Sequence, residues 1–70
     1  MNSAELGKKL RDLRGEKPQK DVAEAIGVTT MTISQYERGE RIPRDDIKVA
    51  LAAYFGKPVG EIFFDEKVIG

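Results

Sequence analysis

The most constraining feature of this sequence is the spacing of two small residues, Ala23 and Gly27, inside the segment 19–38. Two short helices that cross steeply need a small side chain where they touch, and the turn between them needs a residue that tolerates positive φ. Apolar residues occupy the positions where both helices would face the rest of a domain: Val22, Ile26, Val28, Ile33 and Tyr36. The spacing therefore predicts a helix-turn-helix over residues 19–38.

The composition limits the chemistry that the chain can carry. Its 70 residues include no cysteine and no histidine, which excludes disulfides and thiolate zinc sites and leaves carboxylates alone as metal ligands. Because no suitable carboxylate spacing occurs, we expect no metal and no cofactor. No phosphate-binding loop is present and no base accompanies a serine or threonine nucleophile, so we predict a protein that is not an enzyme and has no evident small-molecule site.

Length and apolar content predict a single globular domain over residues 1–70. The chain is 40% apolar and 34% charged, which is typical of an ordinary folded domain. The segment Met1–Glu5 lacks the basic and apolar regions of a signal peptide. The longest apolar run, Val49–Phe55, is far shorter than the roughly 18 residues that span a bilayer. We therefore expect a cytoplasmic, nucleoid-associated protein with no membrane partner.

Glycine and proline divide the chain into five short segments, none of which alternates with the period of a β-strand. The first segment has Ser3 as a candidate N-cap and an apolar stripe at helical spacing. The pattern predicts five helices, and hence a compact all-α domain. The segments run from Ser3 to Gly15, from Pro18 to Gly27, from Thr29 to Gly39, from Pro43 to Gly56, and from Pro58 through Phe63. The tail 64–70 is compatible with a strand, a frayed end or a dimer arm.

The sequence resembles the Cro/C1-type helix-turn-helix regulators, also called the XRE family. The resembling residues are Gln19–Thr29, Ile33–Gly39 and Pro43, with further likeness in Leu6–Arg14, in Phe55 and Gly56, and in Glu61–Phe63. The likeness covers about residues 4–63. It implies a five-helix, repressor-like domain that binds double-stranded DNA, acts in transcription regulation and works as a homodimer on palindromic operators.

The third predicted helix has an outward face without charge before Glu37. At about 100° per residue, the side chains opposite and beside the direction of Ile33 are uncharged, whereas a solvated surface helix normally carries Lys and Glu there. Small donors, acceptors and methyl groups suit the base edges of a major groove. The candidate base-reading residues are Thr30, Met31, Thr32, Ser34 and Gln35.

Candidate phosphate contacts surround this face. Side chains at the N-termini of the second and third helices lie at the positive ends of helix dipoles. Three arginines follow the third helix, with Glu40 as the only acid among them. The candidate phosphate-binding residues are Gln19, Thr29, Arg38, Arg41 and Arg44; Lys17 and Lys20 are interpreted as solubilising charges.

Glu37 needs a partner because a carboxylate near the core direction and near a helix C-terminus is unfavourable. In the family that the sequence resembles, an arginine at the end of the first helix pairs with this glutamate, and Arg14 occupies the matching position. The resemblance therefore implies a structural Arg14–Glu37 ion pair.

The C-terminal apolar residues exceed what a short terminal helix buries in so small a domain. We therefore predict a homodimer with candidate contacts at Val59, Ile62, Phe63 and Phe64, although core completion is expected to claim Ile62 and one phenylalanine. We expect DNA binding to be regulated by the protein's own concentration, by a protein antagonist or by the dimer equilibrium.

Twelve basic residues balance twelve acidic ones, so the net charge gives no sign of a nucleic-acid partner. The main alternative is a protein-interaction module, such as the antitoxin of a toxin–antitoxin pair, which would bind its partner through the apolar C-terminal end.

Overall fold

The computed structural model describes residues 2–64, which form five α-helices. These are α1 (Ser3–Arg14), α2 (Gln19–Ile26), α3 (Thr30–Glu37), α4 (Asp45–Phe55) and α5 (Val59–Phe63). Residues 2–64 contain no β-strand. Helix α3 packs against both α1 and α2, while α4 packs against α2 and α5, and α5 also contacts α1. The predicted all-α, five-helix fold is confirmed.

Four helix starts differ by one or two residues from those that the sequence predicted: Pro18 and Pro58 are N-caps, so α2 begins at Gln19 and α5 at Val59. Asn2, not Ser3, is the N-cap of α1, and its Oδ1 accepts a hydrogen bond of 2.8 Å from the Glu5 backbone N–H. An asparagine side chain at this position satisfies an otherwise unpaired backbone donor. Helix α4 begins at Asp45 rather than at Pro43, because Arg44 keeps an extended backbone and the carboxylates of the first turn favour the positive end of the helix dipole.

The predicted helix-turn-helix is formed by α2, a turn at Gly27 and α3. Gly27 has φ 89° and ψ 29°, a left-handed conformation that glycine adopts without steric cost. Its N–H donates to the Ala23 carbonyl at 2.8 Å, and the Val28 N–H donates to the same oxygen at 3.0 Å. Ala23 is only 2% exposed, which agrees with the small side chain that the crossing requires.

A single apolar core draws side chains from all five helices. The buried residues of the core are Leu6, Leu10, Val22, Ala23, Ile33, Tyr36, Leu51, Ala52, Ile62 and Phe63. Half-buried side chains, Ile26 and Val28 among them, pack around this set. Burial of these apolar groups is the main contribution to stability in a domain without disulfides.

Helix α1 approaches the C-terminal turn of α3 closely at Gly7. A Cβ atom built there would lie 2.7 Å from the carbonyl oxygen of Tyr36 and even closer to that of Glu37. Only a residue without a side chain allows the α1 backbone to approach the C-terminal turn of α3 in this way. Gly7 therefore fixes the distance between α1 and the end of α3.

Two of the predicted dimer contacts are buried within the monomer. Ile62 is 1% exposed and Phe63 is 8% exposed, so neither offers surface to a second subunit, because the core claims both side chains. Phe64 is 50% exposed and Val59 is half-buried. Of the tail 64–70, for which a strand, a frayed end and a dimer arm remain open, residues 65–70 lie outside the described residues. Within residues 2–64, no helix has the length and apolar character needed to cross a membrane.

Candidate nucleic-acid interface

The outward face of α3 is uncharged and accessible. Met31 is 69% exposed, Thr30 is exposed, and Thr32, Ser34 and Gln35 are half-buried. Ile33 and Tyr36, on the other side of the same helix, are each 3% exposed. The helix therefore has one side fixed in the core and one side free to contact a ligand.

The start of α3 is held by two threonine hydroxyls. The Thr29 Oγ1 accepts a hydrogen bond of 3.1 Å from the Thr32 backbone N–H, and it lies 2.9 Å from the Thr32 Oγ1 in a second hydrogen bond. Capping of this kind stabilises a short helix and fixes its first turn. The N-terminal residues of the candidate reading surface are thus positioned before any ligand binds.

The end of α3 is anchored by Glu37, which the structure brings together with Arg14. Arg14 Nε donates to Glu37 Oε2 at 2.6 Å, and a terminal guanidinium nitrogen donates to Oε1 at 3.0 Å. The Arg14 side chain is 16% exposed and the Glu37 side chain 7% exposed. A bidentate pair of this geometry, largely shielded from water, joins α1 to α3.

Gln19 joins Arg14 and Glu37 in one hydrogen-bonded cluster. The sequence did not predict this contact of Gln19. Its Nε2 donates to Glu37 Oε1 at 3.0 Å, and Arg14 also donates to the Lys17 carbonyl at 2.6 Å. The sequence predicts a phosphate contact for Gln19, and in the structure its amide donates to Glu37. Only the packing of α2 beside α3 brings these two residues together.

The ionisation of Glu37 follows from this cluster. Burial raises the pKa of its carboxyl group, but hydrogen bonds from Arg14 and Gln19 and the charges of Arg14 and Arg11 outweigh burial, so the pKa lies below the usual glutamate value. The pKa of Arg14 is raised, chiefly by its hydrogen bond to Glu37. Both groups are therefore charged across the physiological pH range.

The three arginines after α3 lie at the surface. Arg38 pairs with Glu40 at 3.0 Å, with both side chains more than half exposed. Arg44 pairs with Asp46 at 3.3 Å, and both side chains are again largely exposed. Exposed pairs of this kind contribute little free energy, about 0–1 kcal/mol, so a phosphate can compete for either arginine. Arg41 is exposed and has no carboxylate within ion-pairing distance among residues 2–64.

A concavity of about 270 Å³ lies where α1, α2 and α3 meet. Its lining is Arg11, Arg14, Gln19, Ser34, Glu37 and Arg38. From the sequence, Arg14 and Glu37 are predicted as a structural ion pair, Gln19 and Arg38 as phosphate contacts, and Ser34 as a base-reading residue. Arg11 has no predicted role. The one sequence feature that links it to this site is its position about one helical turn before Arg14.

The fold and the free face of α3 define this protein as a helix-turn-helix domain. A family model described as Helix-turn-helix matches residues 8–62. The chain belongs to this helix-turn-helix family, as the resemblance to Cro/C1-type (XRE) regulators predicted.

Among curated proteins, the chain is similar to the cryptic phage CTXphi transcriptional repressor RstR of Vibrio cholerae. The two are 38% identical over 61 residues, which cover 84% of this chain and 55% of the repressor. The chain therefore spans about half the length of that relative. No solved structure matched the chain significantly.

Proposed function

We propose that this protein is a sequence-specific transcriptional regulator that binds double-stranded DNA and acts as a dimeric repressor at palindromic operators. The observation that carries the proposal is the uncharged, exposed face of α3 on a helix-turn-helix whose other side is fixed in the core. Family membership supports DNA as the ligand, and the similarity to a phage repressor supports repression.

In this proposal α3 enters the major groove and reads base edges. Gln35 is suited to a bidentate contact with adenine N6 and N7, and the methyl groups of Thr30, Met31 and Thr32 are suited to thymine methyls. Ser34 lies at the flank of this surface, where it lines the arginine concavity.

The phosphate contacts are proposed to lie around the reading surface. Arg38, Arg41 and Arg44 follow α3, and Thr29 and Gln19 lie at the starts of α3 and α2. The Gln19 amide donates one N–H to Glu37, which leaves its second N–H for a phosphate. Such contacts fix the register of a protein on the duplex without reading its sequence. The near-zero net charge is compatible with this role because the arginines are concentrated beside α3.

The dimer in this proposal uses the apolar surface that the core leaves exposed. Phe64 is half exposed and Val59 half-buried, and a large apolar side chain at the surface is suited to an isologous contact with a second copy. A dimer of this kind places its two reading helices on one face of the duplex, about one helical turn apart.

Selection from a random duplex pool at moderate salt, followed by sequencing of the bound molecules, tests the proposed function. We expect an inverted repeat whose half-site centres lie about 10 bp apart. A single half-site without its repeat would contradict the dimer but support DNA reading. Recovery of no motif, with only weak and salt-sensitive binding, would contradict sequence-specific regulation and favour the interaction-module alternative.

Replacement of Gln35 by alanine is expected to relax selection at one base position in each half-site and to weaken binding of the best site by about 10-fold or more, because a bidentate base contact contributes about 1–3 kcal/mol of discrimination. The matched control is Arg41→Ala, which is expected to weaken all duplexes alike and to make the salt dependence shallower. Titration of a panel of single-base variants measures both effects. Equal losses over all sequences from the two variants would contradict this division of roles.

A further inference from the structure

The concavity between α1, α2 and α3 has an excess of positive charge. Three of the six residues that line it are arginines, Arg11, Arg14 and Arg38, and one is a carboxylate, Glu37. It opens beside α3, on the flank that carries Ser34. A basic concavity next to a helix that enters a groove lies where the groove wall, a row of phosphates, has to pass.

The carboxylate in this concavity already accepts hydrogen bonds from the protein itself. Both oxygens of Glu37 accept hydrogen bonds from Arg14, and Oε1 accepts a further one from Gln19. The charge of Glu37 is therefore compensated within the protein. The Glu37 carboxylate repels an incoming anion only weakly, because the positive charge of Arg14 lies in contact with both of its oxygens.

Two donors in the concavity have no hydrogen-bond or ion-pair partner among residues 2–64. Among residues 2–64, no carboxylate lies within ion-pairing distance of Arg11, and the Ser34 hydroxyl makes no hydrogen bond to another part of the protein. Within the described part of the chain, the guanidinium of Arg38 pairs with Glu40 alone, in an exposed ion pair. A guanidinium and a hydroxyl that converge on one concavity match the acceptor oxygens of a single phosphate group.

We propose that this concavity holds one backbone phosphate of the bound duplex, with Arg11 and Ser34 as its donors. Ser34 is then a positioning residue that contacts the backbone and does not read a base, which revises its assignment from the sequence. The inference rests on the proposed function and deepens it, because it names the atoms that set the depth and register of α3 in the groove.

The test compares Arg11→Gln with Lys8→Gln, each of which removes one positive charge from α1. Lys8 is exposed and does not line the concavity. The probe is the duplex recovered by selection, or a short duplex of fixed random sequence if no motif is recovered. We expect Arg11→Gln to weaken binding about 10-fold and to make the slope of log K against log salt shallower by about 0.9. Lys8→Gln is expected to leave both values close to those of the wild type.

Ser34→Ala separates the two roles of the serine. A phosphate contact predicts the same loss for every duplex sequence, whereas a base contact predicts a loss confined to one base position. Scanning the duplex with single neutral methylphosphonate linkages then locates the phosphate. One linkage is expected to weaken the wild type but to have no further effect on Arg11→Gln.

The outcomes distinguish this inference from the proposed function. If the wild type binds no duplex, the proposed function fails. If the wild type binds but Arg11→Gln and Lys8→Gln behave alike, or if the Ser34→Ala loss is confined to one base position, the phosphate assignment is overturned while the proposed function stands. Urea unfolding of each variant confirms that the loss of affinity is not a loss of folded protein.

Discussion

Replacement of Gly7 by alanine is expected to destabilise the protein by about 2–3 kcal/mol, although the same substitution normally stabilises a helix interior by about 1 kcal/mol. The sign is reversed because the new methyl group would lie 2.7 Å from the Tyr36 carbonyl oxygen and closer still to that of Glu37. These are backbone atoms, so no side-chain rotation relieves the overlap. Helix α1 would have to move away from α3.

Urea unfolding followed by circular dichroism measures this effect. Lys8→Ala is the matched control, because it changes the neighbouring exposed residue of the same helix and is expected to stay within about 0.5 kcal/mol of the wild type. For a chain of 70 residues, whose total stability is expected to be on the order of 4–10 kcal/mol, the loss at Gly7 is large. A variant as stable as the wild type would show that α1 and α3 separate without cost.

Loss of the Arg14 guanidinium is expected to destabilise the protein by about 2–4 kcal/mol. In Arg14→Ala the Glu37 carboxylate, whose side chain is 7% exposed, would keep only the hydrogen bond from Gln19 and would be a poorly compensated charge. Arg38→Ala is the matched control, since it removes an arginine from an exposed pair with a glutamate and is expected to cost at most about 1 kcal/mol. Chemical denaturation at neutral pH measures both; equal losses would contradict a special role for the shielded pair.

The same pair is expected to make stability depend on pH in a definite direction. The folded-state pKa of Glu37 lies below the ordinary value of 4.5, so its stabilisation is fully present above that value and is lost as the pH falls through the folded-state pKa. Glu37→Gln removes this titration and is expected to give a flatter profile in acid. Glu40→Gln, at the exposed pair, is expected to retain the wild-type profile, and identical profiles for the two variants would contradict the assignment.

The sequence alone determined the features that depend on neighbouring residues. Helical periodicity placed the five helices, and Ala23 and Gly27 specified the crossing and turn of α2 and α3, because a tight turn needs positive φ within a few residues of the helix end. The helical spacing of residues also predicted the uncharged face of α3. Within these local features, the sequence misplaced only helix starts: Asn2 rather than Ser3 is the N-cap of α1, since several polar residues near a helix end can supply the same hydrogen bond.

Only the tertiary structure decided the contacts between residues far apart in the chain. The need for Gly7, the hydrogen bond from Gln19 to Glu37 and the concavity shared by Arg11 and Ser34 all depend on the distance and rotation of one helix against another. The same holds for Ile62 and Phe63, which the sequence left open between core and dimer surface. Periodicity defines which face of a helix is apolar, but the packing of side chains against the other helices determines which atoms meet there.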